Sequence, residues 1–188
     1  MADDFTLTPG QTVGPFFHDA LPFAGDREIV PPGAPGSVRL HGHVYDGAGN
    51  PVPDALLEIR QAGRDGVVPR ATGSLRRAGS PFTGWGRSST DPAGRYWFST
   101  LEPGPAGAQP VPFFAVTVFA RGLLHRLFTR AYLPADEQAL ATEPLLSALA
   151  PERRSTLLAR REDDGSLRFD VHLQGPQETV FLSFPRPS

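Results

Sequence analysis

From residue 37 onward, apolar and polar positions alternate along the chain. In SVRLHGHVYD, Val38, Leu40 and Val44 fall on one face of an extended strand, and Arg39, His41, His43 and Tyr45 on the other. A side-chain period of two over this length predicts a half-buried strand. DGAGNPVPDA then gathers turn-forming residues, and ALLEIRQA predicts the next strand. Further on, the turn Asp91-Pro92-Ala93-Gly94 leads into Arg95–Leu101, where Tyr96 and Phe98 alternate with Trp97 and Ser99. VPFFAVTVFARG is apolar at nearly every position, as a central strand buried on both faces would be, and LLHRLFTRAYLP continues as a further strand. LRFDVHLQG and ETVFLSF close the chain with two more. Helical character is confined to 134–161, where Pro151 suits a first helical position and Leu157 and Leu158 an inner face. Seven or eight short strands with one short helical insert predict an all-β fold, an antiparallel β-sandwich over 37–188 preceded by an extended N-terminal arm over 1–36.

Two segments stand outside the alternation. The arm carries TPGQTVGPFFH (8–18), with two prolines and two glycines that fix the backbone and two phenylalanines that need burial, although termini are ordinarily tolerant of change. Residues 63–83 form a long Arg/Gly/Ser-rich stretch, a length uncommon in a compact domain unless the loop is functional or disordered. Composition alters this picture little. A charged share of 20% and a hydrophobic share of 39% suit a folded globular chain. The net charge of −2 gives no basic footprint for nucleic acid. No apolar run nears the roughly 20 residues of a membrane span. The acidic start, MADDFTLTPG, lacks the pattern of a signal peptide, so a cytoplasmic protein is expected. The absence of cysteine excludes disulfides, thiolate metal sites and a cysteine nucleophile.

Among candidate chemical groups, His41 and His43 lie two apart on one strand face, about 7 Å from one another, with Tyr45 two further on. Such a pair could grip one metal ion, with Tyr45 adding a phenolate. The same residues also fit the solvated polar face of an edge strand, shared with Arg39, whose fixed charge opposes a cation. His18 and His125 have no carboxylate partner evident in the pattern, and His172, among apolar neighbours, fits a core histidine. No G-x-S-x-G, phosphate-binding loop or dinucleotide fingerprint is present.

Three stretches in series carry a more specific signal: DGAGNPVPDALLEIRQA (46–62), GWGRSSTDPAGRYWFSTLEPGP (84–105) and FARGLLHRLFTRAYLPAD (119–136). In order and spacing they resemble the intradiol ring-cleavage dioxygenases, non-haem ferric enzymes that open catechols between the two hydroxyls. The arm TPGQTVGPFFH and the tail LQGPQETVFLSF are similar to those of family members built from two related chains. Iron-binding members hold Fe3+ with two tyrosines and a His-x-His pair. Here the loop 63–83 has no tyrosine, Ala106 follows the Pro-Gly turn, and Phe113 and Ala115 stand at the histidine positions. Phenyl and methyl groups offer no lone pair. His41 and His43 lie on an earlier strand and do not match the family's pair. The resemblance therefore implies no metal and no catalytic group in this chain. It implies a homologous iron-binding β chain as partner, αβ pairs assembled into a larger oligomer, and protocatechuate and O2 as substrates, giving 3-carboxy-cis,cis-muconate.

In that arrangement Thr12, Gly14 and Pro15 of the arm line the partner's active site, and Arg130 faces the substrate. Gly14, lacking a Cβ, lets backbone approach a ligand closely, and Pro15 pre-orders the loop. Phe16 and Phe17 would anchor the arm by burial. A guanidinium can hold the protocatechuate carboxylate through two parallel bonds. The alternatives are an arm that only ties subunits together, an Arg130 engaged in a rim salt bridge, and Arg126 in its place. A prealbumin-like binding or carrier sandwich would share the fold without the reaction.

Overall fold

The structure is a computed structural model that describes Gly14 and residues 16–70 and 82–184. Period-two segments become strands wherever one face finds apolar cover. Strands β1 (Ser37–Tyr45), β4 (Arg95–Leu101), β7 (Arg160–Arg161), β8 (Leu167–Arg168) and β9 (Val171–His172) form a five-stranded sheet in the order β4-β1-β8-β7, with β9 also on β1. A second sheet orders β2 (Leu56–Arg60), β3 (Trp85–Ser89), β5 (Phe113–Phe119) and β6 (Leu127–Tyr132) as β3-β2-β5-β6. Leu40, Val44 and Phe98 from one sheet meet Leu57, Phe114 and Val116 from the other, giving the main core. Burying each of these side chains contributes on the order of 2 kcal/mol.

The sandwich is as expected, but several elements differ. The β1–β8 and β1–β9 pairings are parallel, so the first sheet is mixed. Strand β5 buries Phe114, Val116 and Val118 fully and leaves Phe113, Ala115, Thr117 and Phe119 only partly covered. It is central within its sheet, yet a two-layer sandwich covers only one of its faces. The helical insert divides into α2 (Glu137–Thr142), α3 (Pro144–Ser147) and α4 (Pro151–Ser155), because Pro144 and Pro151 each begin a new helix. The Asp136 carboxylate accepts from the Ala139 N–H at 2.7 Å, which caps α2. Leu157 and Leu158 follow α4; Leu157 joins Tyr132, Leu140 and Leu146 in a second, smaller core. Residues 121–126 form a turn, not the beginning of β6, and ETVFLSF forms no regular strand, joining the sheets through a bridge from Leu182 to Phe128 and a bond from the Thr179 N–H to His172 O (3.0 Å).

The arm adds a short helix, α1 (Phe17–Ala20), that the pattern does not reveal. Phe17 is buried as expected, but Phe16 is 70% exposed. Residues 26–30 belong to the sandwich itself. The Arg87 N–H on β3 donates to Asp26 O (2.9 Å), while Ser99 on β4 donates to Arg27 O (3.0 Å) and accepts from Ile29 (2.9 Å). Those strands are the edges of the two sheets, so this segment covers both edges at once. Ile29 completes the core.

Gly42, in the middle of β1, is required by close approach. A Cβ there would lie 1.9 Å from the Phe169 carbonyl oxygen. Phe169 donates its N–H to His41 O at 2.8 Å, and its carbonyl accepts from the Tyr96 hydroxyl. Backbone thus crosses β1 where a side chain would otherwise stand.

Candidate functional site

The exposed face of the first sheet carries the His-x-His pair. His41 Nε2 lies 3.1 Å from Glu162 Oε2 and 3.2 Å from Ser166 Oγ, whereas His43 Nδ1 lies 3.6 Å from Asp170 Oδ1. The Tyr45 ring is stacked between His43 (5.6 Å) and His172 (5.0 Å). Each histidine of the pair therefore faces a different carboxylate, and the Tyr45 ring lies between two imidazoles. Arg39 and Arg27 flank Trp97 at 5.4 and 5.1 Å. The face is a web of ion pairs and rings. Two histidine expectations are corrected. His172 is half-buried on this outer face and not a core residue, because β9 turns it toward Tyr45. His18 does have a carboxylate neighbour, Asp19 Oδ2 at 3.4 Å. His125 lies exposed in the turn before β6.

The outer face of the second sheet brings the other candidates together. Register pairs Ala115 with Arg130 on β6 and with Arg60 on β2, and pairs Phe113 with Tyr132. The Arg130 guanidinium carbon sits 4.3 Å over the Phe113 ring centroid. Its Nη1 donates to the Tyr132 hydroxyl at 2.9 Å, and that hydroxyl donates to Glu143 Oε1 at 2.9 Å. Glu143 Oε1 is 3.6 Å from Arg130 Nη1. With the Gln109 amide turned so that its oxygen faces the cation, that oxygen accepts from Nη1 and Nη2 at 3.1 and 3.2 Å. Glu143 is 1% exposed, at the junction of α2 and α3.

Burial pushes the Tyr132 hydroxyl up to about 12, opposed by the Arg130 hydrogen bond and helped by Glu143. A folded-state value above the unfolded one stabilises the protein at pH values below about 10, and the gain is lost as pH rises toward 12. Across that window the wild type is expected to lose roughly 2 to 3 kcal/mol more than Tyr132→Phe, as followed by urea unfolding.

Loop contacts place Gln109. A Cβ on Gly66 would meet Pro105 O at 2.1 Å, and the Gly104 N–H donates to Gly63 O at 2.8 Å. These crossings set the turn in which Gln109 donates its N–H to Ala106 O at 3.1 Å. Arg126 is exposed in the preceding turn, with its guanidinium 5.1 Å from the Phe128 ring. Gly14 has a φ of +88°, conformational freedom that glycine supplies, and no heavy atom of the described residues lies within 4 Å of where a Cβ would stand. Thr12 and Pro15 lie outside the described residues, as do 71–81 of the long loop.

Ala106, Phe113 and Ala115 do not fit a ferric centre. Their side chains present carbon only, and a fixed guanidinium charge covers Phe113. The sequence alone does not single out Tyr132, Glu143 or Gln109. Alternation puts Tyr132 on the Arg130 face, but nothing in the sequence links that face to Gln109 or to the helical insert.

A profile of the Dioxygenase family matches residues 13–175. The chain is 40% identical to the protocatechuate 3,4-dioxygenase alpha chain of Burkholderia cepacia, over 93% of this chain and 96% of that one. It is 30% identical to the protocatechuate 3,4-dioxygenase beta chain of the same organism, over 90% of this chain and 76% of that one. Among solved structures, the dioxygenase domain of a dioxygenase carbohydrate-binding fusion from Streptomyces sp. SirexAA-E superposes with a TM-score of 0.59. It covers 89% of this chain and 98% of that one at 24% identity, a likeness of fold.

Proposed function

Because this chain belongs to the dioxygenase family of intradiol ring-cleaving enzymes, we propose that it acts as the α subunit of a protocatechuate 3,4-dioxygenase. The family consists of iron enzymes, and relatives of both alpha and beta type point to an αβ heteromer. In the proposed enzyme the Fe3+ is held by the β chain, αβ pairs assemble further, and protocatechuate and O2 give 3-carboxy-cis,cis-muconate.

The observation that carries this reading is the Arg130 guanidinium stacked on Phe113, in the place where iron-binding relatives would have a metal ligand. A pocket that fixes a cation against a phenyl ring is suited to gripping an anion and unsuited to a ferric ion. The chain's share is then to bind and orient. Arg130 meets the substrate carboxylate, with Arg126 as its competitor. Thr12, Gly14 and Pro15 close the partner's pocket and exclude water. When bound by the partner, iron supplies the activation of the catecholate toward O2. A cytoplasmic location is part of the same reading; among the described residues no helix is long and apolar enough to cross a membrane.

Elemental analysis tests the division of labour. The chain purified alone is expected to hold no iron and to cleave no ring, and both are expected to appear on co-expression with a β chain. Stoichiometric iron in the lone chain would overturn the reading and return attention to His41, His43 and Tyr45.

A further inference from the structure

Arg130 has five N–H groups, and the described residues occupy three of them. Nη1 directs its two hydrogens at the Tyr132 hydroxyl and the Gln109 oxygen, and Nη2 directs one at Gln109. Among the described residues, Nε–H and the second Nη2 hydrogen meet no acceptor. These two hydrogens lie side by side, on the edge that takes a carboxylate in a two-bond fork. One face of the guanidinium is closed by Phe113. The mount therefore fixes the group's plane and its far edge, and leaves the edge that recognition requires.

Glu143 is the anchor of that mount. It is almost fully buried, one carboxylate oxygen accepts from Tyr132, and the other, Oε2, has no partner among the described residues. Arg130 is its counter-cation. A buried, half-satisfied carboxylate is a poor way to stabilise a small core, where an apolar residue of similar volume would do as well or better. What an apolar residue cannot do is hold the Tyr132 hydroxyl as a donor, leaving its lone pairs turned to Arg130.

We propose that Glu143, acting through Tyr132, is a positioning residue that sets the angle at which Arg130 presents its open edge to the carboxylate of protocatechuate, an inference that rests on the carboxylate role proposed above for Arg130. Glu143 also places a negative charge near the incoming anion. The arrangement thus gives up net attraction for orientation, and the sign of the mutational effect decides between the two.

The test uses the co-expressed αβ enzyme and the ratio of kcat/KM for protocatechuate to that for catechol. Glu143→Gln and Tyr132→Phe are each expected to lower the ratio about tenfold, mainly through KM for protocatechuate, since displacement of a positioning group by a fraction of an ångström is costly. In an Arg130→Ala background the same substitutions are expected to change the ratio no further, because a positioning residue has no effect without the group it positions. A ratio that is unchanged or raised in Glu143→Gln, or a loss that persists in the Arg130→Ala background, overturns the inference. If Glu143→Gln fails to assemble, Tyr132→Phe, which keeps the ring and loses only the hydroxyl, carries the same expectation and the same refutation. An unchanged ratio in Arg130→Ala itself would instead refute the carboxylate role on which the inference depends.

Discussion

Arg130→Ala, in the co-expressed pair, is expected to raise KM for protocatechuate about a hundredfold, with a much smaller loss on catechol, which lacks the carboxylate. Two charge-assisted hydrogen bonds to a carboxylate, each at the low end of its range, contribute roughly 3 kcal/mol together, and about 2.7 kcal/mol corresponds to a hundredfold. The side chain is well placed for the full effect, being only 22% exposed and already ordered by Phe113, Tyr132 and Gln109. Little entropy is then lost on binding. Arg130→Lys is expected to recover little of the loss, because an ammonium keeps the charge but has no planar fork and stacks poorly on Phe113. Steady-state kinetics on both substrates decide the matter. Equal losses on protocatechuate and catechol would mean that Arg130 supports the fold or the interface, and a normal Arg130→Ala paired with a defective Arg126→Ala would move the role one turn upstream.

The second large effect concerns stability. Gly42→Ala is expected to cost about 3 to 5 kcal/mol, enough to leave little folded chain if total stability lies in the usual range of roughly 5 to 15 kcal/mol. The added methyl would meet backbone, the Phe169 carbonyl, and not the movable end of a side chain. That carbonyl cannot retreat easily, since Phe169 is bonded to His41 O through its N–H and to Tyr96 through its oxygen. Gly49→Ala supplies the comparison: φ is +82°, but nothing lies within 4 Å of the added carbon. Only backbone strain of about 1 kcal/mol is expected there. Urea unfolding of both variants separates crowding from strain, and similar losses would show that the Phe169 segment can shift after all.

Which parts of this molecule could be read in advance follows from the range of the interactions. Strands β1, β2 and β4 were legible because burial on one face imposes a period of two on their own residues. Strand β5 read as buried on both faces because Phe113, Ala115 and Phe119 are apolar, although their surroundings are only half closed. The insert 134–161 showed its helical character and its Pro151, but Leu157 and Leu158 lie past the end of α4, where packing against Tyr132 overrides periodicity. The parallel pairing of β8 and β9 with β1 depends on residues more than a hundred positions apart and leaves no local trace. The same holds at the site. Arg130 and the reading of Ala106, Phe113 and Ala115 as substituted ligand positions came from resemblance, whereas Gln109, Tyr132 and Glu143 became visible only once three separate segments met.

Residues 26–30 are bonded at once to Arg87 on one sheet edge and Ser99 on the other. Such a segment cannot be seated while the sheets are apart, because its two sets of acceptors and donors do not yet face one another. Closing these long-range contacts is among the slow, late steps of forming a sandwich. The arm upstream therefore acquires its fixed point of departure only from a finished domain. In the proposed αβ enzyme, a chain whose sheets have not yet closed would offer no fixed starting point for the contacts proposed for Thr12, Gly14 and Pro15. On that proposal, pairing with a β chain follows the closing of the sandwich, and the stitch across the two edges sets the order of the two events.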